Sequence, residues 1–166
     1  MQALWRNVLI TGASSGLGRA LAEACAAPGV VLHLSGRDAG RLEEAASACR
    51  ARGAEVLPRV MDVCDADAMA AWITGAGRLD LVIANAGISA GTLTTHPEDL
   101  AAFEKILRVN VVGLVATFTP FAAAMCARGA GSLVGIASVA GIRGLPGSGG
   151  YCASKAAAIE IGRAHV

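Results

Sequence analysis

Short apolar runs and amphipathic stretches alternate along this chain at intervals of about thirty residues, the length a strand–helix–strand crossover needs. That alternation restricts the chain to very few folds. The runs at 7–10, 30–34, 55–60, 79–84 and 133–137 are rich in Val, Ile and Leu and end at glycine or polar residues, as buried strands do. Between them, 16–27 has helical spacing, with Leu17, Ala20, Leu21 and Ala24 on one face and Pro28-Gly29 as the stop. A second helix is expected over 38–52, with its charges on one side. A third, over 65–74, is opened by acidic residues at its positive end. Residues 97–108 and 109–128 read as two nearly continuous helices, and another begins near Gly150 or Tyr151. Parallel strands need crossovers of this kind. The predicted fold is therefore α/β, a doubly wound parallel sheet in one domain.

Composition agrees. Of 166 residues, 54% are hydrophobic and only 16% charged, which suits a sheet covered on both faces. A net charge of +1 with scattered arginines gives no footprint for nucleic acid or an acidic membrane. Cys25, Cys49, Cys64, Cys126 and Cys152 are odd in number and form no Cys-x-x-Cys pair. They read as reduced thiols in a cytoplasmic protein, mostly small core residues. The histidines lie far apart, so no metal site is expected. Met1 to Arg6 leads straight into a strand with no signal-peptide pattern. The uncharged run 109–127 approaches membrane-spanning length but holds Asn110, Gly113 and Pro120, and reads as a buried or subunit-interface helix.

Three stretches carry chemistry. Thr11-Gly12-Ala13-Ser14-Ser15-Gly16-Leu17-Gly18 joins the first strand to the first helix. Glycines there let backbone N–H groups approach a pyrophosphate at the helix's positive end, which makes nucleotide binding the reading. At the end of the second strand stands Ser35-Gly36-Arg37-Asp38. A carboxylate at that place binds a ribose 2′-hydroxyl, whereas an arginine accommodates a 2′-phosphate. Gly36 occupies the carboxylate position and Arg37 follows it, which favours NADP(H), with NAD(H) as the alternative. Asp38 either caps the next helix or touches the ribose, and the cap is preferred. A plain surface arginine is the other reading of Arg37. Third, Tyr151 and Lys155 lie four apart on one helix face. An ammonium beside a phenol favours the phenolate, so Tyr151 is a candidate proton donor or acceptor.

Together these motifs resemble the short-chain dehydrogenase/reductase family in its single-domain, soluble branch, a Rossmann-like fold, over about residues 6–159. The resemblance rests on the glycine loop, Asp62-Val63 after strand three, Asn85-Ala86-Gly87 after strand four, Asn110 in the long helix, Ser138 after strand five, and Tyr151 with Lys155. It implies that Gly12, Gly16 and Gly18, with Ser14, Ser15 and Leu17, hold the pyrophosphate. Asp62 and Val63 would bind the adenine edge, the alternative for Asp62 being a helix cap. Asn85, Ala86 and Gly87 would line the cofactor and steady the sheet. Ser138 would hydrogen-bond a substrate carbonyl, and Tyr151 would exchange the proton. Lys155 would hold the nicotinamide ribose and tune Tyr151, while Asn110 would help hold a relay water or satisfy a helix irregularity. The implied function is NADP(H)-dependent transfer of hydride to or from a small carbonyl or alcohol substrate, without a metal, in a homo-oligomer built through the two long helices. Serine hydrolysis is disfavoured, because no histidine lies near Ser138 or Tyr151 in any motif.

Family members continue past the Tyr/Lys helix, so the resemblance implies a domain cut short. Residues 160–166 break the Ala-rich pattern of 156–159. They are also what GAG-ATC-GGA-AGA-GCA-CAC-GTC encodes, the start of a widely used sequencing adapter whose next triplet is a stop. The expectation is a partial domain over 1–159 followed by a non-native tail. A nucleotide-binding fragment without turnover is then the alternative function.

Overall fold

The computed structural model describes residues 4–164. Five parallel strands lie in the order β3-β2-β1-β4-β5: β1 Asn7–Ile10, β2 Val31–Gly36, β3 Glu55–Val60, β4 Leu81–Ala84 and β5 Ser132–Gly135. The helices are α1 Gly16–Cys25, α2 Ala39–Ala51, α3 Ala66–Ala76, α4 Leu100–Leu107, α5 Gly113–Ala127 and α6 Gly149–Arg163. The chain runs outward from β1 to β3, crosses back to β4 beside β1, then continues to β5. This is the doubly wound, Rossmann-like sheet the alternation implies, with its switch point between β1 and β4.

Side chains alternate across each strand, so neighbouring residues feed two separate cores. Val8 and Ile10 of β1 join Leu32, Leu34 and Ile83 beneath Ala22 of α1 and Leu42, Ala46 and Cys49 of α2. Leu9 and Val82 face the other way, against Met69 and Trp72 of α3 and Leu114, Phe118 and Phe121 of α5. The span Pro97–Ala127 is long and apolar enough to cross a membrane by length and composition. Ile106, Val109, Leu114, Phe118, Phe121 and Met125 of this span are nevertheless buried in the protein.

Several boundaries and faces differ from the sequence reading. The inward face of α1 is Gly18 and Ala22 flanked by half-buried Leu21 and Cys25, whereas Leu17 is 54% exposed and Ala20 and Ala24 also face outward. Gly18 decides this: lacking a side chain, it lets the helix lie directly on the loop below it. Strand β5 stops at Gly135 rather than residue 137. Ile136 still donates to the Ala84 carbonyl (3.1 Å), but its own carbonyl is taken by Lys155 Nζ (2.6 Å), which turns the chain away. Among the cysteines only Cys49 is fully buried. Cys126 is exposed, and Cys25, Cys64 and Cys152 are intermediate. Helix α6 continues through Arg163, and Ile161 packs on the second core, so the helical pattern extends past residue 159. His165 and Val166 of the closing heptapeptide lie outside the described residues.

Candidate active site

The register brings the carboxyl ends of β1, β2, β3 and β4 to one rim, since Ile10 pairs with Leu34 and Ile83, and Gly36 with Val60. The residues after each strand therefore converge there: Gly12 after β1, Arg37 after β2, Asp62 after β3 and Asn85 after β4. They line one cleft of about 480 Å³. Ser14, Ser15, Leu17 and Gly18 line it with Gly12, as do Val63, Ala86 and Gly87, whereas Tyr151 and Lys155 of the predicted cofactor set do not. Gly16 does not line it.

The glycines do different jobs. Gly12 has φ +67, and an added Cβ would sit 2.8 Å from the Ala86 Cα. A Cβ on Gly18 would fall 2.2 Å from the Gly12 carbonyl oxygen and 2.3 Å from Asn85 Nδ2. Both positions are close approaches that only glycine permits. Gly16, at φ +54, meets nothing within 4 Å. Its requirement is the left-handed backbone. Asn85 fastens this corner: its Nδ2 donates to the carbonyls of Thr11 (3.0 Å) and Gly12 (3.1 Å). Thr11 Oγ1 in turn accepts from the backbone N–H groups of Asn85 and Ala86. A threonine directly before Gly12 was the available signal for this tie.

At the far end of the cleft, Arg37 faces Asp62 with Nη1–Oδ2 at 3.9 Å, both side chains partly exposed. A pair this long and wet is worth about 0–1 kcal/mol, so it leaves the guanidinium available to another anion. Asp62 Oδ1 accepts from the Cys64 N–H in a tight turn, while the α3 cap is Asp65, so Asp62 is not that helix's cap. Asp38 caps α2 through the Arg41 N–H, as preferred. Gly36 permits the adjoining packing, since its Cβ would meet Ser14 at 2.9 Å. Sequence reasoning missed Arg41, Met61 and Ser35 as lining residues. Ser35 is 1% exposed and its Oγ has no hydrogen-bond partner among the described residues. A glycine-cradled cleft holding an orphaned hydroxyl and an uncommitted arginine fits a dinucleotide.

The catalytic candidates stand beyond the Gly87 end, on α6 and on the 3₁₀ turn and π-helical segment packed against it. Asn110 sits mid-way in a π-helical segment, Arg108–Val112, between α4 and α5. The irregularity swings its carboxamide inward, where Oδ1 accepts from the Ile88 N–H (2.8 Å) and Nδ2 donates to the Ile88 carbonyl (2.9 Å) and Ser154 Oγ (3.0 Å). Ser154 Oγ donates to the Tyr151 carbonyl (2.7 Å), so one chain of bonds runs from the β4 loop to the first turn of α6. Lys155 is buried, with Nζ 5.7 Å from the Tyr151 ring centroid, in cation–π range. Burial pushes its ammonium below the ordinary lysine value. Ser138 is half-buried and opens a short 3₁₀ turn, its Oγ accepting from the Ala140 N–H (3.1 Å). Among the described residues no group of His, Cys, Asp or Glu could hold a metal.

Comparison with known proteins places this arrangement in context. The family profile described as short chain dehydrogenase matches residues 6–165. An uncharacterized oxidoreductase of Myxococcus xanthus is 42% identical over 92% of this chain and 61% of its own length. The crystal structure of levodione reductase superposes with a TM-score of 0.87 at 36% identity, covering 94% of this chain and 63% of that one. An NAD⁺-bound xylitol dehydrogenase (TM-score 0.84, 29% identity, 94% and 62% coverage) shares the fold. So does an alcohol dehydrogenase from Thermococcus sibiricus complexed with 5-hydroxy-NADP (TM-score 0.85, 31% identity, 96% and 69% coverage). The chain thus spans about three fifths of the length of the first relatives it matches.

Proposed function

The chain belongs to the short chain dehydrogenase family, and from that premise we propose that it carries the cofactor half and the proton donor of an NADP(H)-preferring carbonyl reductase or alcohol dehydrogenase. The observation behind the preference is the end of β2: Gly36 offers no carboxylate to a ribose 2′-hydroxyl, and Arg37 presents a guanidinium whose ion pair among the described residues is the long contact to Asp62. Relatives hold either cofactor form, so the preference rests on these residues alone.

The roles follow from position. When bound, the nicotinamide ring supplies or accepts the hydride. Gly12, Gly18 and the α1 N-terminus receive the pyrophosphate, with Ser14, Ser15 and Leu17 beside it. Gly16 sets the loop's turn. Asp62 and Val63 take the adenine end. Asn85, Ala86 and Gly87 hold the middle of the cleft in shape. Ser138 Oγ, which accepts from the Ala140 N–H through a lone pair, donates its O–H to the substrate oxygen. Tyr151 protonates that oxygen in reduction and accepts the proton in oxidation. Lys155 holds the ribose hydroxyls. Asn110 orients the loop at Ile88 and helps hold a water that relays protons from solvent. We place the intact protein in the cytoplasm as a homo-oligomer, supported by the exposed Leu100, Val112 and Val115 of α4, the π-helical segment and α5. Residues 160–166 remain, in this proposal, a non-native tail; codons across position 160 that differ from the adapter string would remove it.

The second reading is a nucleotide-binding fragment without turnover, favoured by the chain's span of three fifths of its relatives. NADPH oxidation against a panel of ketones and aldehydes, run beside NADPH binding, separates the two. The reductase reading expects turnover that Tyr151→Phe abolishes while binding survives. Binding without turnover selects the fragment, and neither binding nor turnover overturns both.

A further inference from the structure

Helix α6 has a capping problem that its own sequence does not solve. Ser148 stands at the N-cap position, but its side chain makes no capping hydrogen bond, and two glycines follow it. Helix N-termini leave their first N–H groups unpaired, and glycines there hold the backbone least firmly. Tyr151 is the third residue of this turn, so its placement depends on whatever fixes Gly149 and Gly150.

The fixing group comes from another loop. Thr92, in the connection after β4, is 5% exposed, and its Oγ1 accepts from the Gly150 N–H at 2.8 Å across 58 positions of chain. Its backbone is engaged on both sides: Thr92 N–H donates to the Gly147 carbonyl (2.8 Å), and Gly149 N–H donates to the Thr92 carbonyl (3.3 Å), forming an isolated parallel bridge with Ser148. A Cβ on Gly150 would meet Phe103 at 3.0 Å and Thr92 Oγ1 at 3.2 Å, so the glycine allows the hydroxyl to come this close. Thr92 thereby does for α6 what a serine or aspartate N-cap does within its own helix.

We infer that Thr92 is a positioning residue for Tyr151, acting as the N-cap of α6 supplied from the β4 loop. A substrate seated against the 92–96 loop would then tighten or loosen the same contact that orients the proton donor. The catalytic consequence rests on the reductase reading above; the placement itself does not.

Tyr151 is the sole tyrosine, so in tyrosine-labelled protein its ring gives one NMR signal set, and Gly150 amide exchange reports the cap directly. Thr92→Val keeps the shape and removes the acceptor. The expected result is Gly150 exchange at least tenfold faster and Tyr151 ring signals moved toward their free-tyrosine position. Thr92→Ser, which keeps the hydroxyl, restores both. Should the valine variant not fold, Thr92→Cys, a weaker acceptor of similar size, must show Gly150 exchange faster than Thr92→Ser. Unchanged exchange and ring signals in Thr92→Val, failure of Thr92→Ser to restore them, or equal exchange in the cysteine and serine variants would overturn the inference. Absence of reductase turnover would leave both readouts interpretable.

Discussion

Replacing Gly18 by alanine is the most severe single test of the glycine corner. The new Cβ would lie 2.2 Å from the Gly12 oxygen and 2.3 Å from Asn85 Nδ2, so the α1 N-terminus and the loop must separate by roughly 1 Å to restore ordinary contact. Overpacking of this kind costs about 1–3 kcal/mol. The same movement pulls on the Asn85 bonds to Thr11 and Gly12, at 3.0 and 3.1 Å, and leaving such groups unpaired costs about 1–3 kcal/mol more. Alanine returns about 1 kcal/mol in helix propensity. The net loss is then about 1–5 kcal/mol, a fall in melting temperature on the order of 2–20 °C for a chain of this size. Gly16→Ala meets no atom within 4 Å and pays only for its positive φ, about 1–2 kcal/mol. Thermal unfolding of the two variants side by side checks the reasoning. Gly18→Ala should melt well below Gly16→Ala and bind NADPH at least tenfold more weakly than the parent chain. If Gly16→Ala is the more damaging, or Gly18→Ala melts like the parent, the close-approach argument is wrong.

Three further outcomes are expected. Arg37→Ala should weaken NADPH binding by 1.5–3 kcal/mol, the worth of a charge-assisted hydrogen bond, roughly 10- to 150-fold, and leave NADH binding unchanged by calorimetry. Asn110→Ala strands both backbone groups of Ile88 and should destabilise the fold by about 2–4 kcal/mol in denaturant unfolding. His33 is buried in β2, and burial holds its pKa below the ordinary histidine value. Above pH of about 6.5 the imidazole is neutral folded and unfolded. As pH falls below that, the unfolded chain binds a proton the folded chain refuses, and stability declines until the folded-state pKa is passed. His33→Leu should remove that slope from stability measured against pH.

Much of this architecture was legible because it repeats a local rule. Val8-Leu9-Ile10 and Leu81-Val82-Ile83 are short apolar runs of the kind a doubly covered strand makes, and the glycine loop, Asp62 and Asn85 each follow a strand end, so parallel order gathers them. What the sequence hid depends on contacts between distant residues. The inward face of α1 was misread because apolar spacing favoured Leu17 and Ala20, while packing turns on the bare Gly18 against Gly12 and Asn85. The end of β5 is set by Lys155, 19 residues later. Ser35 and Thr92 look like ordinary loop and strand hydroxyls until the sheet places one in the cleft and the other on α6. Asn110 was readable as an irregular helix position, and the π-helical turn is the form that irregularity takes.

The central claim is that this rim is a dinucleotide site whose arginine selects the 2′-phosphate. Paired calorimetric titrations of the chain with NADPH and NADH test it most directly. The account predicts saturable binding of both, with NADPH at least tenfold tighter. Tighter binding of NADH, or no binding of either by the folded chain, would contradict it.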